Sequence, residues 1–336
     1  MFRMATKLFL VLLLFLSGCG GGGGGETGTN SAGSVATVNA KFSEVSAGSN
    51  HTVALKPGVT LWTWGLNTSG QLGDNSTTNS LIPKKIGIDT DWASISSGGD
   101  HTVALKSDNT LWAWGLNTSG QLGDNSTTNS LIPKKIGIDT DWASISSGGD
   151  HTVALKSDNT LWAWGLNTSG QLGDNSTTNS LIPKKIGTDT NWAAFSAGRD
   201  HTVALKTDGT LWVWGLNTSG QLGDNSTTNS LVPKKIGTDA NWLAVSAGGN
   251  HTVALKTDGT LWAWGLNNSG QLGDNSTTNS LIPKKIGTDI IWNAISAGGN
   301  HTAALKTDQT LWTWGDNTHG QLGNGTNTDS LTPNQI

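Results

Sequence analysis

WASISSGGDHTVALKSDNTLWAWG (Trp92–Gly115) alternates apolar and polar residues through three short runs. In HTVALK (His101–Lys106), Val103 and Leu105 share one face and Thr102 and Ala104 the other. In TLWAWG (Thr110–Gly115), Trp112 and Trp114 share a face. A period of two marks a strand. The same alternation in WASISSG predicts Trp92, Ser94 and Ser96 on one face and Ala93, Ile95 and Ser97 on the other. Ser107-Asp108-Asn109 reads as a tight hairpin, because Asp-Asn and the later Asp208-Gly209 accept the positive φ that such turns require. Upstream, LIPKKI (Leu81–Ile86) is a short extended run. Its Pro83 has no N–H to give to a neighbour, which places it at a sheet edge. Residues 81–115 therefore read as four antiparallel strands.

The unit returns every 50 residues: HTVALK begins at His51, His101, His151, His201 and His251, and HTAALK at His301. Such a period means one supersecondary unit stacked many times, and four local antiparallel strands make a propeller blade. The fold class is all-β, a propeller of six four-stranded blades. The chain starts and ends mid-repeat, so the last strand, Leu331–Ile336, is expected to pair with Phe42–Gly48 and to close a final blade from both termini. That closure would hide edge strands. Phe42 stands where the other copies carry Trp92, Trp142, Trp192, Trp242 and Trp292. The regular tryptophans are expected in the packing between blades.

The pattern G-x-N-x-x-G-Q-L-G, then Pro, Trp and S-x-G-x-x-H-T-x-A-L-K, then T-L-W-x-W-G, covers residues 38–336. In the first full unit it is Gly65, Asn67, Gly70, Gln71, Leu72, Gly73, Pro83, Trp92, Gly98, His101, Leu105, Trp112, Trp114 and Gly115. It resembles the repeat of the RCC1 (regulator of chromosome condensation) family. The resemblance implies a propeller, commonly of seven blades, where this chain supplies six. The family's founding member is associated with guanine-nucleotide exchange, an activity built on specialised regions. The uniform 50-residue spacing here leaves no insertion to build one. Where the family often has Gly two places after GQLG, only Gly325 does so here. Asn75, Asn125, Asn175, Asn225 and Asn275 replace it, and Asn tolerates the left-handed backbone.

The N-terminus reads as an address. Arg3 and Lys7 precede the apolar run LFLVLLLFL (Leu8–Leu16), which is too short for an ordinary span. Leu16-Ser17-Gly18-Cys19 resembles a bacterial lipobox, which implies removal of residues 1–18 and lipidation of Cys19, the single cysteine. Residues 19–37, with six consecutive glycines at Gly20–Gly25, read as a flexible tether. The expected location is the bacterial cell envelope, lipid-anchored, with Gly20 after the cysteine favouring the outer membrane or cell surface.

Charged residues are 13% of the chain and the net charge is −4. No basic face is available to neutralise phosphates, which argues against nucleic acid as a partner. Neither a nucleophile-base-acid arrangement unique to one place nor a nucleotide-binding glycine loop is present, so the expectation is a non-enzyme without cofactor. Six histidines, one per repeat, are too dispersed to converge on a metal; each is expected to bond backbone in the turn after Gly-Gly. Asp74, Asp89 and Asp91 read as turn residues rather than calcium ligands, and Lys84-Lys85 as a solvated edge.

The copies differ mainly around Ile88–Asp100 and its equivalents. Phe195 and Arg199 in one repeat and Asn250 in the next give the surface its asymmetry, so they are candidates for binding a unique protein. The invariant loops, with Asn67 and Asn75, are candidates for a repetitive glycan bound through avidity. The leading expectation is a monomeric, surface-anchored, non-catalytic propeller that binds or scaffolds an extracytoplasmic protein. A multivalent carbohydrate-binding propeller is the alternative, and an exchange factor comes third.

Overall fold

The computed structural model describes residues 42–336. The leader, Cys19 and the tether lie outside the described residues. Six four-stranded antiparallel sheets follow one another along the chain, and among the described residues there is no helix. Blade two is typical. Trp92–Ser97 pairs with His101–Lys106, which pairs with Leu111–Gly115, which pairs with Ser130–Lys135. First strands of successive blades touch one another, and fourth strands face solvent. Pro133 sits in that outermost strand, where no further neighbour asks for its N–H.

The strand with the proline belongs to the blade before it, not to the one after it. Leu81–Ile86 was expected to lead into Trp92, but Ser80–Lys85 pairs with Thr60–Gly65. The long loop makes this possible by folding around one side chain. In blade two, Asn117 is wholly buried; its Nδ2 donates to Asp124 Oδ1 (2.9 Å), Ser126 O (3.1 Å) and Thr128 O (3.1 Å), and its Oδ1 accepts from Leu122 N (3.0 Å). The loop becomes a compact return, and the next strand lies back along the one just left.

The same rule overturns the expected split blade. The last strand, Ser330–Gln335, pairs with Leu311–Gly315 (Trp312 opposite Gln335, Thr313 opposite Asn334) and not with Phe42–Gly48. All six blades are whole.

The first strand also departs from simple alternation. Trp92 pairs with Lys106 and Ser94 with Leu105, so Ala93 is the extra residue of a β-bulge. The bulge brings Trp92 and Ile95 onto one buried face despite their odd spacing. The core lies between blades. Val103, Leu105, Leu111, Ala113, Leu122 and Ile136 face forward and meet Trp142, Ile145, Ala154 and Trp164 of the next blade. The turns follow expectation: Asn109 (φ 59°) and Gly209 (φ 74°) turn the hairpins, and Asn75 (φ 61°) and Gly325 (φ 75°) adopt the left-handed conformation at equivalent positions.

Candidate functional site: seams, rim and inter-strand turns

The histidines build the seams between blades. His101 Nε2 lies 3.1 Å from Thr152 Oγ1 in the next blade, and Thr152 Oγ1 donates to Gln121 O at 2.9 Å. The threonine proton is thus committed, so its oxygen must accept and His101 must carry its proton on Nε2. Trp164 Nε1 donates to the same Gln121 carbonyl at 3.0 Å. Five copies of this relay run from His51–Thr102–Gln71 to His251–Thr302–Gln271. The expected backbone partner of the histidine is therefore replaced by a hydroxyl of the neighbouring blade.

Complete burial drives the histidine pKa values down, to about 4 for His51 and about 3 for His101, His151, His201 and His251. These rings are neutral at ordinary pH. The bare Nδ1 of His101 packs on Gly98, where a Cβ would come within 2.6 Å of it. Among the described residues no group of three or more His, Cys, Asp or Glu is placed to hold a metal.

Lys106 marks a second repeated device that the sequence reading passed over. Its Nζ lies 4.9 Å from the Trp92 ring centre and 4.5 Å from that of Trp112, and it meets Asp89 (2.8 Å) and Asp91 (3.2 Å). Burial alone would lower the lysine pKa, but the hydrogen bonds and charges of Asp89 and Asp91 outweigh it and hold the ammonium above its usual range. The two aspartates are thus lysine partners as well as turn residues.

Outside this cage lies the rim. Asp74, Lys84, Lys85, Trp112, Ile132 and Pro133 wall a cleft of about 390 Å³ between blades one and two, and blades four/five and five/six repeat it. Lys84 pairs with Asp74 at 2.5 Å. Burial raises the Asp74 pKa, but hydrogen bonds from Lys84, Ser76 and Asn67 outweigh it and keep the carboxyl below its ordinary value. Along the rim, Ile82, Ile132, Ile182, Val232 and Ile282 occupy the same position in five outer strands, each 43–71% exposed.

The turns between the first and second strands carry the asymmetry. The residue before each histidine is Asn50, Asp100, Asp150, Asp200, Asn250 or Asn300. Burial raises the pKa of Asp100, Asp150 and Asp200, and the charges of Asp200 and Asp100 add to the effect at Asp150. Arg199 stands among them with its side chain exposed, 3.6 Å from Asp200. Asn250, half-buried, accepts from Gln221 Nε2 at 3.2 Å. Arg199 and Asn250 thus lie in equivalent turns of neighbouring blades. Two other candidates are corrected: Phe195 is 6% exposed and packs in the core with Trp192 and Trp214, and Asn67 is fully buried as the hub of its loop. Asn75 stays exposed at its left-handed turn.

A family model described as "RCC1-like domain" matches residues 132–336, and models of the "Regulator of chromosome condensation (RCC1) repeat" match residues 60–105 and 108–155, and 42–71 and 92–121. The chain belongs to the RCC1-like family. Its structure is similar to that of human WBSCR16 (TM-score 0.80, 24% identity, covering 89% of this chain and 82% of that one). It is also similar to yeast RCC1 (Prp20) bound to Kap60 (0.80, 23%, 89% and 75%) and to Prp20p of Saccharomyces cerevisiae (0.79, 24%, 87% and 76%). At these identities the likeness shows the fold. A Dictyostelium discoideum "Bifunctional serine/threonine-protein kinase/NEDD4-like E3 ubiquitin-protein ligase" is 40% identical over 60 residues, and the match spans 18% of this chain but 3% of that protein.

In this RCC1-like propeller the motif residues hold blades to blades. Gln71 Nε2 donates to Asp100 Oδ1 of the next blade at 2.9 Å, Leu72 is fully buried, and Gly70 packs on Leu131. Gly73 (φ 76°) has to be glycine, because a Cβ there would lie 2.7 Å from Trp114 Nε1. Gly115 (φ 99°) closes on Asp100 O, and Trp114 fills the seam.

Proposed function

We propose that this RCC1-like propeller is a surface-anchored, non-catalytic module that binds or scaffolds a protein in the bacterial cell envelope, with Cys19 as the lipid attachment point. The observation that carries the reading is the rim row Ile82, Ile132, Ile182, Val232 and Ile282, held open to solvent beside Lys84 and Lys85 and their equivalents. One exposed β-branched aliphatic at the same place in each of five outer strands offers a repeated set of apolar anchor points to a protein partner. The histidines, which in another setting would suggest catalysis, are buried, neutral and committed to the seams. Propellers of similar structure meet proteins: yeast RCC1 (Prp20) is bound to Kap60, and Prp20p has binding properties to Gsp1p and histones.

The half-buried Trp112, Trp262 and Trp312, one lining each rim cleft, favour a second reading, multivalent binding of a repetitive glycan. Exchange activity comes third. The test is crosslinking of the full chain within its own envelope fraction, compared with an Ile132→Asp/Ile182→Asp/Ile282→Asp variant, alongside a glycan array and a nucleotide-release assay. A crosslinked protein that disappears with the variant supports the proposal. Binding that free sugar competes away supports the second reading, and accelerated nucleotide release supports the third.

A further inference from the structure

We propose that Asn324–Gly325, in the polar loop of blade six, is a site of spontaneous deamidation, and that the product carries a carboxylate with no lysine to pair it. This loop departs from its five equivalents by an exchange of two residues. The others hold an aspartate at the place of Asn324 (Asp74, Asp124, Asp174, Asp224 and Asp274) and an asparagine at the place of Asp329, as at Asn79. Both places serve the buried hub: Asn317 Nδ2 donates to Asn324 Oδ1 at 3.1 Å, and Asn317 N to Asp329 Oδ1 at 2.8 Å. In the first five loops a lysine on the outer strand reaches the aspartate, as Lys84 reaches Asp74. In blade six Asn334 stands in the lysine's place and donates to Ser330 Oγ at 2.8 Å.

Three observations single out this pair. Gly325 is the one glycine that follows an asparagine in the chain, and without a side chain its nitrogen can approach the amide before it. Apart from its chain neighbours, no heavy atom lies within 4 Å of where a Cβ would stand. Its N–H has no hydrogen-bond partner among the described residues, whereas Asn75 N, at the same place in the first loop, donates to Leu131 O at 2.8 Å. Asn324 is exposed, and its Oδ1 accepts from Asn317 Nδ2, from Thr326 N at 3.0 Å and from Thr326 Oγ1 at 2.8 Å. Donors on that oxygen polarise the amide and receive the charge that develops when a nucleophile adds. The two Asp-Gly pairs lack the free nitrogen: Gly209 N donates to Lys206 O at 2.9 Å and Gly259 N to Lys256 O at 3.0 Å.

The reaction consumes only water. Gly325 N attacks Asn324 Cγ; the N–Cγ bond forms, the Cγ–Nδ2 bond breaks, and Nδ2 leaves as ammonia with the proton that Gly325 N gives up. Water then opens the cyclic imide. Opening at Cγ yields an aspartate in an unbroken main chain, and opening at the Asn324 carbonyl yields an isoaspartyl linkage that runs through Cγ. The aspartate product keeps the hub bond, since Asn67 Nδ2 donates to Asp74 Oδ1 at 3.0 Å in the first loop. It also adds a negative charge to a hub that already holds Asp329, with Asn334 in place of a countering lysine.

The test incubates the full chain at mildly alkaline pH and follows each asparagine by peptide mass spectrometry, with isoaspartyl and aspartyl products separated by chromatography. The expected result is conversion of amide to acid at Asn324 while the Asn-Ser pair at Asn75 and its four equivalents stay amides. Gly325→Asn installs the residue that those five loops carry at a φ of 61–62° and abolishes the conversion with the fold intact. Asn324→Asp lowers the urea midpoint, and adding Asn334→Lys restores it. Three results would overturn the proposal: an amide that persists at Asn324, conversion as fast in Gly325→Asn as in the parent chain, or an Asn324→Asp variant as stable as the parent.

Discussion

His101 and Thr152 stand 51 residues apart in sequence and 3.1 Å apart in space, the histidine donating and the threonine accepting across a seam. This pair and its four equivalents add a polar tie to the apolar packing that joins blade to blade. Replacing Thr152 with Val leaves a buried Nε2–H without an acceptor and a glutamine carbonyl with one donor fewer. The cost is about 1–3 kcal/mol in urea unfolding. Thr52 is half-buried and has no such histidine partner among the described residues, so Thr52→Val should fall within about 0.5 kcal/mol of the parent chain. Equal effects at the two positions would contradict the seam account.

Acid should loosen the seams between blades as the pH falls below 6.5. Folded, His101, His151, His201 and His251 have pKa values of about 3 and His51 of about 4, against an ordinary 6.5. Below pH 6.5 the unfolded chain binds protons that the folded chain refuses, so stability rises with pH in this window. The contribution is complete above pH 6.5. It is lost at about 1.4 kcal/mol per pH unit for each histidine as the pH falls toward the folded values. Urea midpoints measured from pH 7.5 to 4.5 should drop steeply below 6.5. A flat profile would mean that the rings are accessible to protons.

The Lys106 cage predicts an unusual tolerance order. Lys106→Ala removes two cation–π contacts and two carboxylate partners and should cost about 1–2 kcal/mol. Lys85→Ala, on the solvated edge, should be neutral within about 0.5 kcal/mol. Thermal or urea unfolding of the two variants side by side decides the point.

Asn117 and Asn125 are eight residues apart and should respond for different reasons and by different amounts. Asn117→Ala strips a buried hub of its amide hydrogen bonds and should cost about 3 kcal/mol or more. Asn125 matters for its φ of 62°, so Asn125→Ala should cost about 1 kcal/mol while Asn125→Gly is neutral or stabilising. Denaturant midpoints for the three variants provide the check.

Repeat number, hairpins and the left-handed asparagines were legible because each depends on residues adjacent in sequence. Pro133 at an outer edge was legible for the same reason. What escaped depends on distance or on irregularity. The bulge at Ala93 inverts the facing of Ile95, and no alternation rule shows it. The return of Ser130–Lys135 to its own blade depends on Asn117 organising fourteen residues of polar loop, whose composition alone reads as a plain connection. Phe195 looked like surface asymmetry because it varies between copies, yet it varies inside the core, where Ile95, Ile145, Val245 and Ile295 fill the same slot. The histidine partner could not be read at all without the neighbouring blade. Of the candidate binding residues, Arg199, Asn250 and Asn75 reach the surface because turns place them there.

Hydrogen exchange on a chain shortened by Leu331–Ile336 tests the central structural claim, that every blade is built from consecutive strands. Removing the outermost strand of blade six should strip protection from Leu311–Gly315, its pairing partner, and leave Glu44–Ala47 unchanged. Loss of protection at Glu44–Ala47, with Leu311–Gly315 unaffected, would contradict it and restore a blade shared between the two ends of the chain.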